Sequence, residues 1–402
     1  MSWEYVTLDK LGSISRGKSK HRPRNDQSLF GGKYPFIQTA DVKAAGLYLT
    51  EYSETYNEKG LTQSKLWPKG TLCITIAANI ADTTILGIDA CFPDSVMGFV
   101  PFEEVSNVKF VKYAFDILQR DCQKISQGTA QDNLSWKKLS TIKFPAPPIE
   151  VQNRIVDYLS AYDDLIENNQ KQIKLLEESA QRLYKEWFVD LRFPGYEDVK
   201  IVDGVPEGWE RCQIQNVCTR INAGGTPSRR NTNYWANASV KWYKTGELQD
   251  CWLLDSEEHI SEEGLNNSSA KIFPVNTILM AIYASPTLGR LGVLSSDASC
   301  NQAALCILAD ETKVSWQWLY QKLYELRDEF NAVAKGAGQQ NISGEVVKKK
   351  EILLPSYGII NEYTNIVKPL FKKRYLLQLQ IQKLEEARDR LLPKLMRGEI
   401  EV

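Results

Sequence analysis

Residues 149–188 read IEVQNRIVDYLSAYDDLIENNQKQIKLLEESAQRLYKEWF. Within them Ile155, Leu159, Tyr162, Ile166, Asn169, Ile173, Leu176, Ala180, Leu183 and Trp187 recur at steps of four, three, four, three. That alternation is the heptad seam of a coiled coil. Neither Gly nor Pro interrupts it, and Glu, Lys, Gln and Arg fill the outer faces. A helix of about 40 residues is about 60 Å long at about 1.5 Å per residue, against a usual length of about 11–12 residues. Such a helix cannot bury a single apolar seam alone, so it requires a partner.

The same chain supplies one. Shifted by 208 positions, the seam becomes Tyr363, Val367, Leu370, Arg374, Leu377, Ile381, Leu384, Arg388, Leu391 and Leu395. QKQIKLLEES (170–179) then lies over QLQIQKLEEA (378–387) without a gap. The polar seam positions Asn169, Arg374 and Arg388 cost stability but fix register. Pro369 is expected to kink the second helix or to begin its main segment, because it cannot donate a helical hydrogen bond.

The repeat extends outward from the helices. Trp3-Glu4 matches Trp209-Glu210, PFIQTADV (35–42) matches KWYKTGEL (241–248), and LWPKGTLCI (66–74) matches IFPVNTILM (272–280), all at an offset of 206. GTAQDNLS (128–135) matches GAGQQNIS (336–343) at 208. An offset this steady over several motifs identifies two copies of one module. Each copy has short β-type runs such as TLCITIA (71–77) and TILMAIYA (277–284), punctuated by turn residues. A helix is expected over 108–123 and over 315–331. A last β-type run, TIKFPAP (141–147) or KEILLP (350–355), leads into the long helix. The expected organisation is a mixed α/β domain over 1–148, a long helix over 149–188, a turn-rich linker over 189–208, a second α/β domain over 209–356 and a second long helix over 357–402. The linker reaches easily between antiparallel helices but must be fully stretched for parallel ones. The fold expected is therefore two pseudo-two-fold-related α/β domains joined by an antiparallel intramolecular coiled coil.

Composition agrees with a globular chain of 402 residues and more than one core: 43% hydrophobic, 25% charged, net charge -1. No run approaches the roughly 20 apolar residues of a membrane span, and MSWEYVTLDKL lacks the pattern of a signal peptide. A cytoplasmic protein is expected. The eight cysteines form no CxxC pair, and Cys212/Cys218 and Cys300/Cys306 match no zinc spacing, so buried reduced thiols are expected.

Catalytic motifs are missing. There is no GxGxxG opening a βα unit, no P-loop, no HExxH and no GxSxG. The two histidines, His21 and His259, do not correspond between copies. A carboxylate-and-metal site is weakly supported, since only Asp41/Glu247 recurs. Binding features recur better. RGKSKHRPR (16–24) carries Arg16, Lys18, Lys20, Arg22 and Arg24 without an acid, and RINAGGTPSRRN (220–231) carries Arg220, Arg229 and Arg230. Basic residues on Gly- or Pro-containing loops can follow a phosphate backbone; a single such run is usually only a solvated loop. Lys124, Lys137, Lys138, Lys335 and Lys348 to Lys350 add charge.

Gly128/Gln131/Asn133/Ser135 recurs as Gly336/Gln339/Asn341/Ser343. Gln and Asn amides can pair with adenine, and Arg with guanine; the plainer role of Asn or Ser here is to cap the next helix. Thr39, Asn79, Gln131, Thr226, Thr245, Tyr283, Arg290, Gln339 and Gln340 complete the candidate DNA contacts. Trp67 and Phe273 are expected in the core. No metal ligands are assigned. Asp163, Asp164, Glu167, Lys171 and Lys174 lie outside the seam and are expected on the free surface of the helix.

The chain resembles the DNA-specificity subunit of type I restriction–modification systems. The tandem copies, the Gly-x-x-Gln-x-Asn loops at 128–133 and 336–341, the passage PPIEVQNRIVDYLSAYDDLI, the Lys-Leu-Glu-Glu segment at 383–386 and the closing LLPKLMRGEIEV carry the resemblance. It implies that each domain reads one half of a split DNA site and that the helices set the gap between halves. It implies as partners double-stranded DNA, two methyltransferase subunits and a motor-nuclease restriction subunit. S-adenosylmethionine, ATP and Mg2+ would then belong to the partners, leaving this chain without cofactor or catalytic residue. PSYGIINEY (355–363) departs from the PPIEVQNRI of the first copy. The alternatives are a coiled-coil adaptor with two protein-binding domains and a stand-alone DNA-modifying enzyme.

Overall fold

The computed structural model describes residues 3–77, 80–126, 136–283, 287–336 and 341–402. The chain divides into two units, Met1–Glu167 with Gln382–Val402, and Asn168–Ile381. Each unit holds one α/β domain and a part of both long helices.

The duplication is visible strand by strand. In the first unit a five-stranded sheet runs Gly12–Arg16, Val96–Pro101, Leu72–Thr75, Thr83–Leu86, Tyr48–Leu49. In the second the order is Cys218–Ala223, Ala304–Ala309, Ile278–Ala281, Leu291–Leu294, Cys251–Leu253. In both, the first four strands pair antiparallel and the edge strand joins parallel. The central strands LCIT, TTIL, ILMA and LGVL are buried throughout, Thr75, Thr83 and Thr84 with their apolar neighbours, so both faces of the sheet are covered. A second small sheet is built on Phe30–Phe36 in one unit and Val240–Tyr243 in the other. A two-stranded ribbon, Tyr5–Thr7 with Lys143–Pro145 and Glu210–Gln213 with Glu351–Leu354, closes each domain.

The helix expected over 108–123 is Val108–Ser126. It buries Phe110, Val111, Ala114 and Phe115, which share one face at helical spacing. The helix expected over 315–331 is broken at Leu326 into Trp316–Glu325 and Arg327–Gly336. Ser315 caps the first piece, accepting from the Trp318 backbone N–H at 3.2 Å.

The long helices are Ile149–Tyr184, which ends in a π-helical turn over Lys185–Val189, and Tyr357–Met396. The second helix passes through Pro369 and begins at Tyr357, so Pro369 does not begin it. Buried Ile360, Tyr363 and Val367 before the proline and Phe371 after it hold both sides against the core and offset the lost bond.

Within each unit the helices pair antiparallel. In the first, Ile155, Val156 and Leu159 share a core with Leu392, Leu395 and Met396, while Asp163 meets Arg388. In the second, Glu177 meets Arg374, and Tyr184 and Trp187 pack on Tyr363. Of the expected seam, Ile155, Leu159, Ile166, Asn169, Ala180, Trp187, Tyr363, Val367, Arg374, Leu377 and Leu395 are buried. Tyr162, Ile173, Leu176, Leu183, Leu370, Ile381, Leu384 and Leu391 are half-buried. Flanking positions Gln152, Val156, Asp163, Tyr184, Phe188, Phe371, Leu392 and Met396 are buried as well. Each helix therefore packs on its own α/β domain as well as on the other helix, and the buried stripe is wider than a two-stranded seam. Asp163, expected on the free surface, is a member of that wider stripe. Its carboxylate takes Arg388 from the facing helix and the Tyr113 hydroxyl from the domain.

Candidate nucleic-acid interface

The basic loops of both copies spring from one anchor. In the first unit the Gly17 N–H donates to Val96 O at 2.9 Å and the Lys18 N–H to Phe92 O at 3.1 Å. In the second the Gly224 N–H donates to Ala304 O at 3.1 Å and the Gly225 N–H to Cys300 O at 2.9 Å. A Cβ on Gly17 would lie 2.3 Å from Phe92 O, and one on Gly224 2.3 Å from Cys300 O. The chain leaves the edge strand by passing too close to a carbonyl for any side chain, and only glycine fits.

Beyond the anchor the copies diverge. In the first, Gln63 Oε1 accepts from the Lys20 and His21 N–H groups at 2.6 and 3.0 Å, and the Ser64 hydroxyl donates to Lys18 O at 2.9 Å. Asp26 caps the turn Gln27–Leu29. Its carboxyl is held down at about 2 by the Ser28 backbone N–H, the Ser28 hydroxyl and His21. Arg22 donates to Ser19 O and His21 O, and Arg24 pairs with Asp94 at 2.8 Å. Arg16, Lys18 and Lys20 are exposed, and among the described residues no carboxylate pairs with them.

Sequence reading did not single out Lys65. Its ammonium lies 3.4 Å from the centroid of the Trp67 ring. Burial, then the charge of Lys18, lowers its pKa. Lys65 lies one residue before the short strand Leu66–Trp67, so strand alternation in the sequence did not mark it. Trp67 and Phe273 are buried in the core.

In the second copy Arg220 is half-buried, donates to Ile272 O at 3.0 Å and lies 4.2 Å from the Phe273 ring centroid. Arg229 pairs with Glu258 and stacks 3.6 Å from the Trp235 ring centroid, with Trp242 behind at 5.3 Å. The Thr226 hydroxyl donates to Gln302. Arg230 is exposed with no carboxylate partner among the described residues. Tyr283 is 41% exposed at the end of a core strand, and Arg290 is half-buried nearby in sequence, past a tight turn. Of three arginines grouped by sequence, one braces the core, one is stacked and paired, and one is free.

Thr39 and Thr245 begin equivalent short helices. The recurring acid closes each helix start, with Asp41 accepting from the Gln38 N–H and Glu247 from the Lys244 N–H, both at 2.7 Å. Capping accounts for that recurrence. Ser343 caps Gly344–Lys349, accepting from the Val346 N–H at 3.4 Å. Lys348 pairs with Glu345 and Lys350 with Glu329. Asn79, Gln131, Gln339 and Gln340 lie outside the described residues, as do Gly128 and Asn133.

Among the described residues no group of His, Cys, Asp and Glu could hold a metal ion, and no helix is long and apolar enough to cross a membrane. Cys73, Cys91, Cys300 and Cys306 are buried free thiols, and Cys212, Cys218 and Cys251 are half-buried ones.

A family profile described as type I restriction modification DNA specificity domain matches residues 1–178 and again 206–386. The MjaIX type I restriction enzyme specificity subunit of Methanocaldococcus jannaschii is 25% identical over 100% of this chain and 94% of that protein. The HindI type I restriction enzyme specificity subunit of Haemophilus influenzae is 25% identical over 66% of this chain and 71% of that protein. The crystal structure of a type I restriction-modification S subunit from M. genitalium shares the fold. Its TM-score is 0.60, at 14% identity, covering 98% of this chain and 96% of that one.

Proposed function

The chain belongs to the type I restriction modification DNA specificity family, and from that premise we propose that it is the DNA-reading subunit of a restriction–modification complex. Each α/β domain reads one half of a split, asymmetric duplex site. The single observation that carries this reading is the duplicated glycine anchor bearing two different basic loops. One scaffold with divergent polar loops is what two different half-sites require. Arg16, Lys18 and Lys20 in one copy and Arg230 in the other supply phosphate contacts, which position without specifying. Tyr283, Arg290 and the amides of the Gly-x-x-Gln-x-Asn loops are candidates for base edges.

Two methyltransferase subunits and a motor-nuclease subunit are its partners in this reading. Methyl transfer from S-adenosylmethionine and ATP- and Mg2+-dependent cleavage are theirs, and this chain contributes no catalytic residue. It acts in the cytoplasm, where the DNA is. The long helices set the unread gap between half-sites, so one heptad inserted into each helix changes the gap and leaves the bases of both halves unchanged.

The test is a map of methylated adenines in host DNA with and without this chain. A bipartite motif that disappears with the chain supports the reading. An unchanged map overturns it in favour of an adaptor, and methylation by the purified chain alone favours a stand-alone enzyme.

A further inference from the structure

The two copies differ at the foot of the domain, where the ribbon meets the start of the following helix. In the second unit this place is filled by residues that follow the first long helix. Phe193, 2% exposed, packs on Trp209 with ring centroids 5.0 Å apart. Leu191, Val199 and Val205 pack in the same cluster, together with Leu354 and Ile359. The counterparts of Trp209, Leu354 and Ile359 in the first unit are Trp3, Ala146 and Val151, and these line an open groove of about 930 Å³. The left-handed backbone of Leu191 recurs at Gly398, which puts Ile400, 37% exposed at the groove, in the place of the buried Phe193.

We propose that this groove is the docking site for an extended peptide segment of a partner subunit that sets an aromatic side chain, flanked by a basic residue, against Trp3. The aromatic is argued from the second unit, where the same scaffold is closed by Phe193 on Trp209. The basic flank is argued from charge. Glu4, Glu104, Glu399 and Glu401 line the groove against Lys10 and Arg154, and Arg192 precedes Phe193 in the segment that fills the second unit. Apolar floor and acidic rim together favour such a segment over an acidic or a purely polar one. The proposal rests on the reading that methyltransferase subunits assemble on this chain, and it goes beyond that reading in naming where one of them holds on and with what chemistry.

The probe is the capped peptide LRFPGY, the sequence of residues 191–196, labelled and titrated into the full chain by fluorescence anisotropy. Saturable binding below about 1 mM is expected. A peptide with Ala for Phe193 and a chain carrying Trp3→Ala should each bind at least tenfold more weakly. Because Trp3 also packs near Phe110, Glu401→Arg on the exposed rim serves as a second variant and should weaken binding at low salt. Absence of saturation, or equal binding by both chain variants, overturns the groove.

Sedimentation with the co-expressed methyltransferase subunits is the second arm, and both variants should weaken assembly at least tenfold. Full assembly by both variants overturns the groove alone. Failure of the unaltered chain to assemble overturns the partner reading instead. A Trp3-dependent dimer of the chain by itself assigns the groove to a second copy and overturns the partner segment.

Discussion

Arg388 donates from Nη1 to Oδ1 of Asp163 at 2.8 Å, joining the two long helices within the first unit. The other carboxylate oxygen takes the hydroxyl of Tyr113 from the domain helix. In the second unit the same relation recurs two heptads away on each helix, between Arg374 and Glu177. The acid stands on the first helix and the arginine on the second in both. Asp163 is 9% exposed and Arg374 3%, so neither pair is a solvated surface bridge.

Truncating one partner should therefore cost far more than an exposed pair would. Arg388→Leu leaves Asp163 buried and is expected to destabilise the first unit by about 3–5 kcal/mol, whereas Arg388→Leu with Asp163→Leu should lose much less. Urea unfolding of the full chain, followed by a probe in the first unit, measures both. Equal losses in the single and double variants would contradict the buried-pair account.

Gly17→Ala and Gly224→Ala each drive a Cβ to 2.3 Å from a backbone carbonyl. Either is expected to destabilise its domain by about 1–3 kcal/mol and to disorder the basic loop it anchors. Gly46→Ala meets nothing within 4 Å and serves as the neutral control in the same thermal melts.

The three arginines of the second loop should separate by measurement. Arg230→Ala should weaken DNA binding by the assembled complex about equally for all sequences and flatten the salt dependence by about 0.9 in log–log slope. Arg220→Ala should lower the melting temperature, because it removes the donor to Ile272 O and the cation over Phe273. Arg229→Lys should keep the ion pair with Glu258 but lose the flat stacking on Trp235.

Asp26 gives a pH dependence with a definite sign. Its folded carboxyl titrates at about 2, below the roughly 3.9 of an unfolded aspartate. Its contribution to the loop is complete above about pH 4 and is lost as pH falls towards 2. Carboxyl-carbon NMR should show a midpoint near 2, raised in Ser28→Ala and raised less in His21→Ala. A midpoint near 4 in the unaltered chain would show that the cap does not form.

The helices and the duplication were legible because both are periodic. Heptad spacing and a constant offset survive divergence, and strand orders repeat in the structure as the offset implies. Side-chain roles at the loops were not, because a run of like residues says nothing about which carbonyl or ring each one meets. Arg24 finds Asp94, seventy positions away, and Arg229 finds Glu258. Asp163 was misjudged for a related reason. A heptad describes one helix against one other, while this helix touches a domain as well, and Tyr113 comes from outside the pattern.

The division of the long helices between units also orders events in time. The first unit needs Leu392, Leu395 and Met396 to close the core around Ile155 and Leu159, while the second unit is one unbroken segment, Asn168–Ile381. On a ribosome adding about 5–20 residues per second, the domain that emerges first is the one that finishes last. Until residues 382–402 arrive, its helix stands with an uncovered apolar stripe. A nascent chain stalled before that point would therefore hold a finished C-terminal reader beside an unfinished N-terminal one.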